Sequence, residues 1–246
     1  MLIVVDKPTW ITIYDVIRKL KHLYPKMKIW HSGTLDPMAT GLMLIGVGPD
    51  TKKLTELTWL DKSYTATIDF SKDSDTRDLQ YRDWIKNEKL TIKNWKVVWI
   101  IKNNKEIEAP TLQQIEEKLD LLVPEYSLPL TPFSAKKKDG KKLYELAREW
   151  NLIQENRNMK TNSYKIIEYK FPELKLQLDV WSGTYIRSIA HWLWSQFGLW
   201  GILTSLRRIS VWKYELENMN LSSTAQRISE TQFFGMRELC WPSAET

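Results

Sequence analysis

The chain opens with an apolar run, Leu2-Ile-Val-Val5, closed by Asp6-Lys7-Pro8, a pattern that predicts a short strand. Thr12 stands three residues before Asp15, a helix-start signal, and Val16, Ile17, Leu20, Leu23 and Tyr24 then recur at helical spacing until Pro25. Leu42-Met-Leu-Ile-Gly-Val-Gly48 is a second apolar run of strand length, and Tyr64, Ala66, Ile68 and Phe70 alternate with polar neighbours as a half-buried strand does. Residues 71–83 are polar and predict a loop, while 84–108 mix Trp, Lys, Asn and Val without a period and predict nothing in particular. Thr111 and Gln114 have capping-box spacing for an amphipathic helix carrying Leu112, Ile115, Leu119 and Leu122. The stretch from Pro124 to Pro132 predicts a proline-punctuated loop, and residues 133–148 a turn at Asp139-Gly140 that enters a helix. Leu174, Leu176, Leu178 and Val180 alternate as a strand that delivers Gly183-Thr-Tyr-Ile-Arg-Ser188, with a helix expected through Phe197. After Leu206-Arg-Arg208 the pattern weakens. Strands and helices interleave without regular βαβ spacing, so the fold class expected is α+β with a mixed sheet.

Composition narrows the picture a little. A chain of 246 residues, 43% hydrophobic and 27% charged, has the profile of a globular protein with a substantial core. The net charge of +6 favours anionic partners without specifying one. Cys240 is the only cysteine, so no intramolecular disulfide can form, and with His22, His31 and His191 alone beside it no compact zinc pattern exists. No metal is expected. The N-terminus is charged too early for a secretory signal, and no segment approaches the roughly 20 apolar residues of a membrane span. A cytoplasmic protein with no membrane partner is the expectation.

The candidate chemistry centres on His31-Ser-Gly-Thr-Leu-Asp-Pro-Met-Ala-Thr-Gly41. It places one acid, Asp36, in a segment of Gly, Thr and Pro before an apolar strand, where a rigid loop can display a carboxylate. On local grounds alone the plainer reading, a structural Asp-Pro turn, is the stronger one. Lys136, Lys137, Lys138, Lys141 and Lys142, flanked by Phe133 and Tyr144, form a basic patch with aromatics, equally readable as a solvated helix start or as a polyanion contact.

The signature loop resembles the G-H-T-G-T-L-D-P-x-A-T-G motif of the TruB-type tRNA pseudouridine synthases. Further segments agree in the family's order: Asp6-Lys7-Pro8 with its K-P motif, Lys62-Ser-Tyr64 with K-x-Y, and Asp75-Thr76 with the D-T of the next loop. Phe133-Ser-Ala with Asp139-Gly-Lys-Lys-Leu-Tyr-Glu-Leu-Ala-Arg148, then Gly183-Thr-Tyr-Ile-Arg-Ser188 and Leu206-Arg-Arg208, match its last motifs. The resemblance implies a largely antiparallel central sheet flanked by helices and loops. It implies isomerisation of uridine 55 in the T loop of tRNA to pseudouridine, with no cofactor, tRNA as partner through its T arm, and a monomer. Asp36 is the implied nucleophile, Arg187 its charge partner, and Tyr64 the residue that stacks on the target base and can move a proton. His31 is implied beside a flipped-out base, Tyr185 and Leu206 in the uracil pocket, and Lys7 on the substrate side. The basic patch becomes part of a surface gripping RNA phosphates. A catalytic domain over residues 1–214 and a short tail over 215–246 are expected, with the family's appended RNA-binding domain absent or vestigial. The alternatives are a catalytically impaired protein of the same fold that binds and folds tRNA, and a guide-RNA-dependent relative.

Seven tryptophans, Trp10, Trp30, Trp59, Trp150, Trp194, Trp200 and Trp212, stand where the family usually has glycine. The chain has 13 Trp and only 9 Gly, where ordinary usage of about 7% gives roughly 17 glycines. A gene that reads UGA as glycine, decoded with UGA as tryptophan, produces this pattern.

Overall fold

The computed structural model describes residues 1–74, 76–79, 86–87, 89–93, 96–101, 105–131, 133–134, 136–138, 140–148, 155–199, 201–216 and 225–228. The N-terminal apolar run is β1 (Leu2–Lys7), followed by α1 (Ile13–Leu23). α1 begins as its spacing predicts: the Thr12 hydroxyl accepts from the Asp15 amide while the Asp15 carboxylate accepts from the Thr12 amide. β2 (Ile29–His31) and β3 (Thr40–Val47) flank the signature loop. α2 (Leu54–Thr58) is a short helix without a sequence signal, and β4 (Lys62–Asp69) is the alternating strand, with Tyr64, Ala66 and Ile68 buried.

Two loop expectations need correction. The polar stretch 71–83 contributes β5 (Lys72–Asp73), paired with β6 (Lys86–Asn87). The patternless stretch beyond it forms an antiparallel sheet of β7 (Lys89–Lys93), β8 (Lys96–Ile101) and β9 (Lys105–Glu108). α3 (Leu112–Asp120) starts at its capping box and buries Ile115 and Leu119, although Leu112 is exposed. The second correction is β10 (Glu125–Pro129), a strand inside the predicted proline loop. It lies at the end of its strand order with Pro129 as its last residue, where proline is tolerated because a missing amide breaks no central ladder.

β11 (Lys137–Lys138) and β12 (Lys141–Lys142) form a hairpin turning at Gly140, whose φ of 82° suits glycine, and α4 (Leu143–Arg148) follows. Asp139 of the predicted turn lies outside the described residues. β13 (Asn156–Lys170) has no sequence forecast, whereas β14 (Glu173–Val180) buries Leu174, Leu176, Leu178 and Val180 as alternation requires. α5 (Ile186–Ser195) ends slightly before the predicted Phe197. β15 (Ile202–Val211) carries Leu206-Arg-Arg208, and β16 (Tyr214–Glu215) and β17 (Ala225–Ile228) fall in the weakly patterned end.

The chain divides into two compact units, Met1–Tyr64 with Arg207–Thr246, and Thr65–Leu206, so β4 and β15 each run from one unit into the other. In the first, β3 pairs antiparallel with β1 and β2, β17 lies parallel to β1, and the end of β15 joins β3 in parallel through Arg207↔Thr40 and Arg208↔Gly41. Leu2, Val4, Leu42, Leu44, Leu54, Val211 and Leu216 form one core cluster of this unit. In the second, the strand order is β10-β13-β14-β4-β15, with β13 antiparallel to both neighbours. The α+β class with a mixed, mostly antiparallel sheet is what the interleaving and the resemblance led one to expect. No helix among the described residues is long and apolar enough to cross a membrane.

Candidate active site

In the first unit, the loop between β2 and β3 is held from three sides. Asp36 opens a turn closed by the Ala39 amide donating to the Asp36 carbonyl at 3.1 Å, with Pro37 in the position that favours its fixed φ. The segment after β1 clamps this turn: the Lys7 Nζ donates to the Pro37 carbonyl at 3.1 Å, the Trp10 amide to the same oxygen at 2.7 Å, and the Thr9 hydroxyl to the Met38 carbonyl at 2.9 Å. Arg208 braces the far side, its Nε donating to the Leu42 carbonyl at 2.7 Å and its guanidinium reaching the Gly33 carbonyl at 3.5 Å. One side chain thus touches the loop that carries Asp36 and the strand that follows it.

Gly41 makes that bracing possible. Its φ is 108°, and a Cβ there would stand 2.2 Å from the Arg208 carbonyl oxygen, so only glycine lets β3 lie against β15. Arg207, next in the strand, points its guanidinium instead at Asp6, with contacts of 2.8 and 3.1 Å to the two carboxylate oxygens.

The charges around the loop are mainly positive. Lys7 is fully buried (0% exposed) and also donates to the Pro8 and Ile11 carbonyls. Burial lowers its pKa to about 8, the Asp36 charge pulls it back up, and Arg208 pushes it down. Lys62, of the K-x-Y motif, donates to the Thr58 and Leu60 carbonyls and is lowered to about 8 by burial and then by Arg208. His31 is half-buried; desolvation and then Arg208 lower its pKa, against an opposing bond with the Gly33 backbone. Its Nδ1 is buried with no hydrogen-bond partner among the described residues, and the Trp30 ring stacks on the imidazole at 5.3 Å and 18°. Tyr64 is buried at the start of β4.

The second unit holds the other predicted residues. Arg187 is the second residue of α5 and only 5% exposed. Its guanidinium donates to the Thr76 carbonyl at 3.1 Å and the Phe133 carbonyl at 3.0 Å, and lies 3.5 Å from the Asp78 carboxylate, an ion-pair distance rather than an aligned hydrogen bond. Asp78 is itself 0% exposed, and accepts from the Thr76 hydroxyl at 2.7 Å. The Ser74 hydroxyl both donates to the Asp78 carbonyl and accepts from its amide. Sequence reasoning passed over Asp78, although the matched Asp75-Thr76 pair stands just before it. Asp36 and Arg187, expected as partners, belong to different units; the carboxylate Arg187 meets within its own unit is that of Asp78.

Tyr185 is the N-cap residue of α5, half-buried, with the Arg157 guanidinium 5.7 Å from its ring centre. Leu206 is buried in β15. In the basic patch, Lys136 forms an ion pair with Glu155, Lys141 is exposed, and the hairpin register sets Lys137 opposite Lys142 and Lys138 opposite Lys141.

A sequence profile described as the TruB family pseudouridylate synthase N-terminal domain matches residues 21–101 and 96–186. A tRNA pseudouridine synthase B of Fusobacterium nucleatum subsp. nucleatum is 34% identical over 217 residues, covering 88% of this chain and 69% of that protein. The chain belongs to the TruB family. It is therefore a pseudouridine synthase, an isomerase. A TruB protein of Chlorobaculum tepidum, also named tRNA pseudouridine synthase B, is 30% identical over 241 residues and is covered over 90% of its length. Among solved structures, a chain of "Crystal Structure of a Cbf5-Nop10-Gar1 Complex" superposes with a TM-score of 0.64 at 18% identity. That match takes in 94% of this TruB chain and about half, 52%, of the other, and shows a shared fold.

Proposed function

We propose that this TruB protein converts uridine 55 in the T loop of tRNA to pseudouridine, with Asp36 as the nucleophile acting on a base turned out of the RNA stack. The observation that carries this reading is the clamped Asp36 turn, whose charge opposes the burial that lowers the pKa of Lys7. A positioned carboxylate of this kind can attack or assist at the sugar–base unit. The C–N glycosidic bond breaks, the uracil rotates, and a C–C bond forms in its place; the carbon that joins the sugar loses its hydrogen as a proton and the freed ring nitrogen takes one up. Arg187 contributes its charge to the reaction, Tyr64 stacks on the uracil and handles a proton, and Tyr185 and Leu206 line the uracil. His31, with an unsatisfied buried Nδ1, fills the space the extruded base leaves.

The T arm is held through phosphates. The β11–β12 hairpin gathers Lys137, Lys138, Lys141 and Lys142 into one short segment, the density of positive charge a polyanion contact needs. The catalytic part spans residues 1–214, with β17 of the segment after it paired to β1, and the protein works as a cytoplasmic monomer. Tritium release from T-arm RNA labelled at uracil C5 tests the reading on bare transcript, without guide RNA. Wild type is expected to turn over, and Asp36→Ala to bind the RNA normally and release nothing. Residual release by Asp36→Ala overturns the role given to Asp36, and release by neither protein overturns the activity.

A further inference from the structure

Backbone geometry, rather than side-chain contacts, marks two tryptophans as out of place. Among the described residues only Trp10, Arg77 and Trp212 have positive φ without being glycine. For a bulky side chain this region is a steric outlier, because Cβ crowds the neighbouring carbonyl oxygen. Trp10, at φ 62°, is the third residue of the turn from Pro8 to Ile11. Positive φ at that place is the type II pattern, which selects glycine or asparagine. Trp212, at φ 51°, is the first of the two loop residues joining β15 to β16, since Val211 pairs with Tyr214. Positive φ there, without positive φ at Lys213, has the sign pattern of a type II′ hairpin turn, whose first central residue is glycine.

Neither indole recovers the strain by burial. Trp10 is 45% and Trp212 56% exposed, and the contact of Trp212 with the Lys213 ammonium, at 4.6 Å, joins two neighbouring residues at the surface. The Trp10 amide donates to the Pro37 carbonyl of the Asp36 turn, so the backbone conformation at position 10 serves the site. A chain short of glycine and rich in tryptophan, with its two left-handed tryptophans in glycine turn positions, is consistent with glycine codons decoded as tryptophan.

We propose that the polypeptide made in its own cells carries glycine at positions 10 and 212, and by the same decoding at position 30. There the Trp30 indole lies on His31. Glycine at 30 removes the indole that stacks on the His31 ring. At positions 10 and 212 the inference stands on backbone angles and at position 30 on the shared decoding alone, and it is independent of the substrate proposed above.

The test is to read codons 10, 30 and 212 in the gene and to weigh the peptides spanning them in protein purified from the source cells. UGA codons with glycine-containing peptides are expected. Trp181, whose ring takes the Lys160 ammonium at 5.0 Å, is the internal control for detecting tryptophan. UGG at positions 10 and 212 overturns the proposal, as does UGA with tryptophan in the native peptide. An independent readout is thermal unfolding of the chain against its Trp10→Gly/Trp212→Gly variant. Relief of the two strained turns is expected to raise Tm by roughly 5 °C, and an unchanged or lower Tm contradicts the geometric argument.

Discussion

Replacing Asp78 by alanine should unfold the second unit more easily and misplace Arg187 at the same time. Asp78 is 0% and Arg187 5% exposed, so neither charge can turn to water when its partner is lost. After the change Arg187 keeps the Thr76 and Phe133 carbonyls, but a buried guanidinium remains without this carboxylate. Breaking a buried pair from one side costs about 3–5 kcal/mol, a fall in Tm of about 10 °C for a chain of this size. The diagnostic quantity is the coupling between the two residues. Arg187→Ala alone leaves Asp78 uncompensated, whereas the double variant buries neither charge and should be at least ~1 kcal/mol more stable than the sum of the single losses predicts. Urea unfolding of all four proteins, followed by circular dichroism, measures this. Additive losses would falsify the pairing as an energetic unit, whatever the distance between the side chains. In the tritium-release assay Asp78→Ala should lose on the order of 10²-fold in kcat if Arg187 serves the reaction as proposed, because a displacement of about 1 Å is enough to spoil an aligned group. Asp78→Asn, which retains an oxygen for the Thr76 hydroxyl, should lose less stability than Asp78→Ala.

Three further changes probe the rest of the frame. Gly41→Ala places a Cβ 2.2 Å from the Arg208 carbonyl at a φ closed to alanine, and should cost at least ~3 kcal/mol in urea unfolding; a loss below ~1 kcal/mol contradicts the close approach of β3 and β15. Lys7 and Lys62 have folded pKa values of about 8, below the ordinary 10.5, so between these values the unfolded chain binds more protons and the fold gains stability as pH rises. Their cost, on the order of 3 kcal/mol each, is fully present below about pH 8, and Lys7→Met should flatten the rise measured by unfolding from pH 8 to 10.5. Thr111→Ala removes the hydroxyl that receives the Gln114 amide and should lower stability by about 1 kcal/mol without changing turnover.

Local chemistry made the clamped loop legible in the sequence. The Asp-Pro turn and the capping boxes at Thr12 and Thr111 each depend on residues a few positions apart, and each forms as its spacing demands. β10 and β13 were hidden for the opposite reason. β10 reads as loop because its prolines outweigh its pattern, and its strand character comes from pairing with β13 across the unit. β13 itself loses its alternation at two register shifts, between Thr161 and Ser163 and between Ile166 and Glu168, so no period of two survives along it. Asp78 shows the same limit at the level of a single charge. Nothing near it in the chain distinguishes it from the acids around it, and its meaning comes from Arg187, whose bond to neighbouring Thr76 spans 111 residues. Arg208 lies between these cases: the Leu-Arg-Arg motif announced it, but not that its side chain would brace backbone carbonyls while Arg207 took the carboxylate of Asp6. Two adjacent arginines point to opposite faces of a strand, so one had to be buried, and a buried guanidinium is tolerated where carbonyls line up to receive it. Those carbonyls, at Gly33 in the loop that displays Asp36 and at Leu42 in the strand that follows it, flank the Asp36 turn. A residue that reads as structural by its burial is thus tied to the chemistry by what it holds.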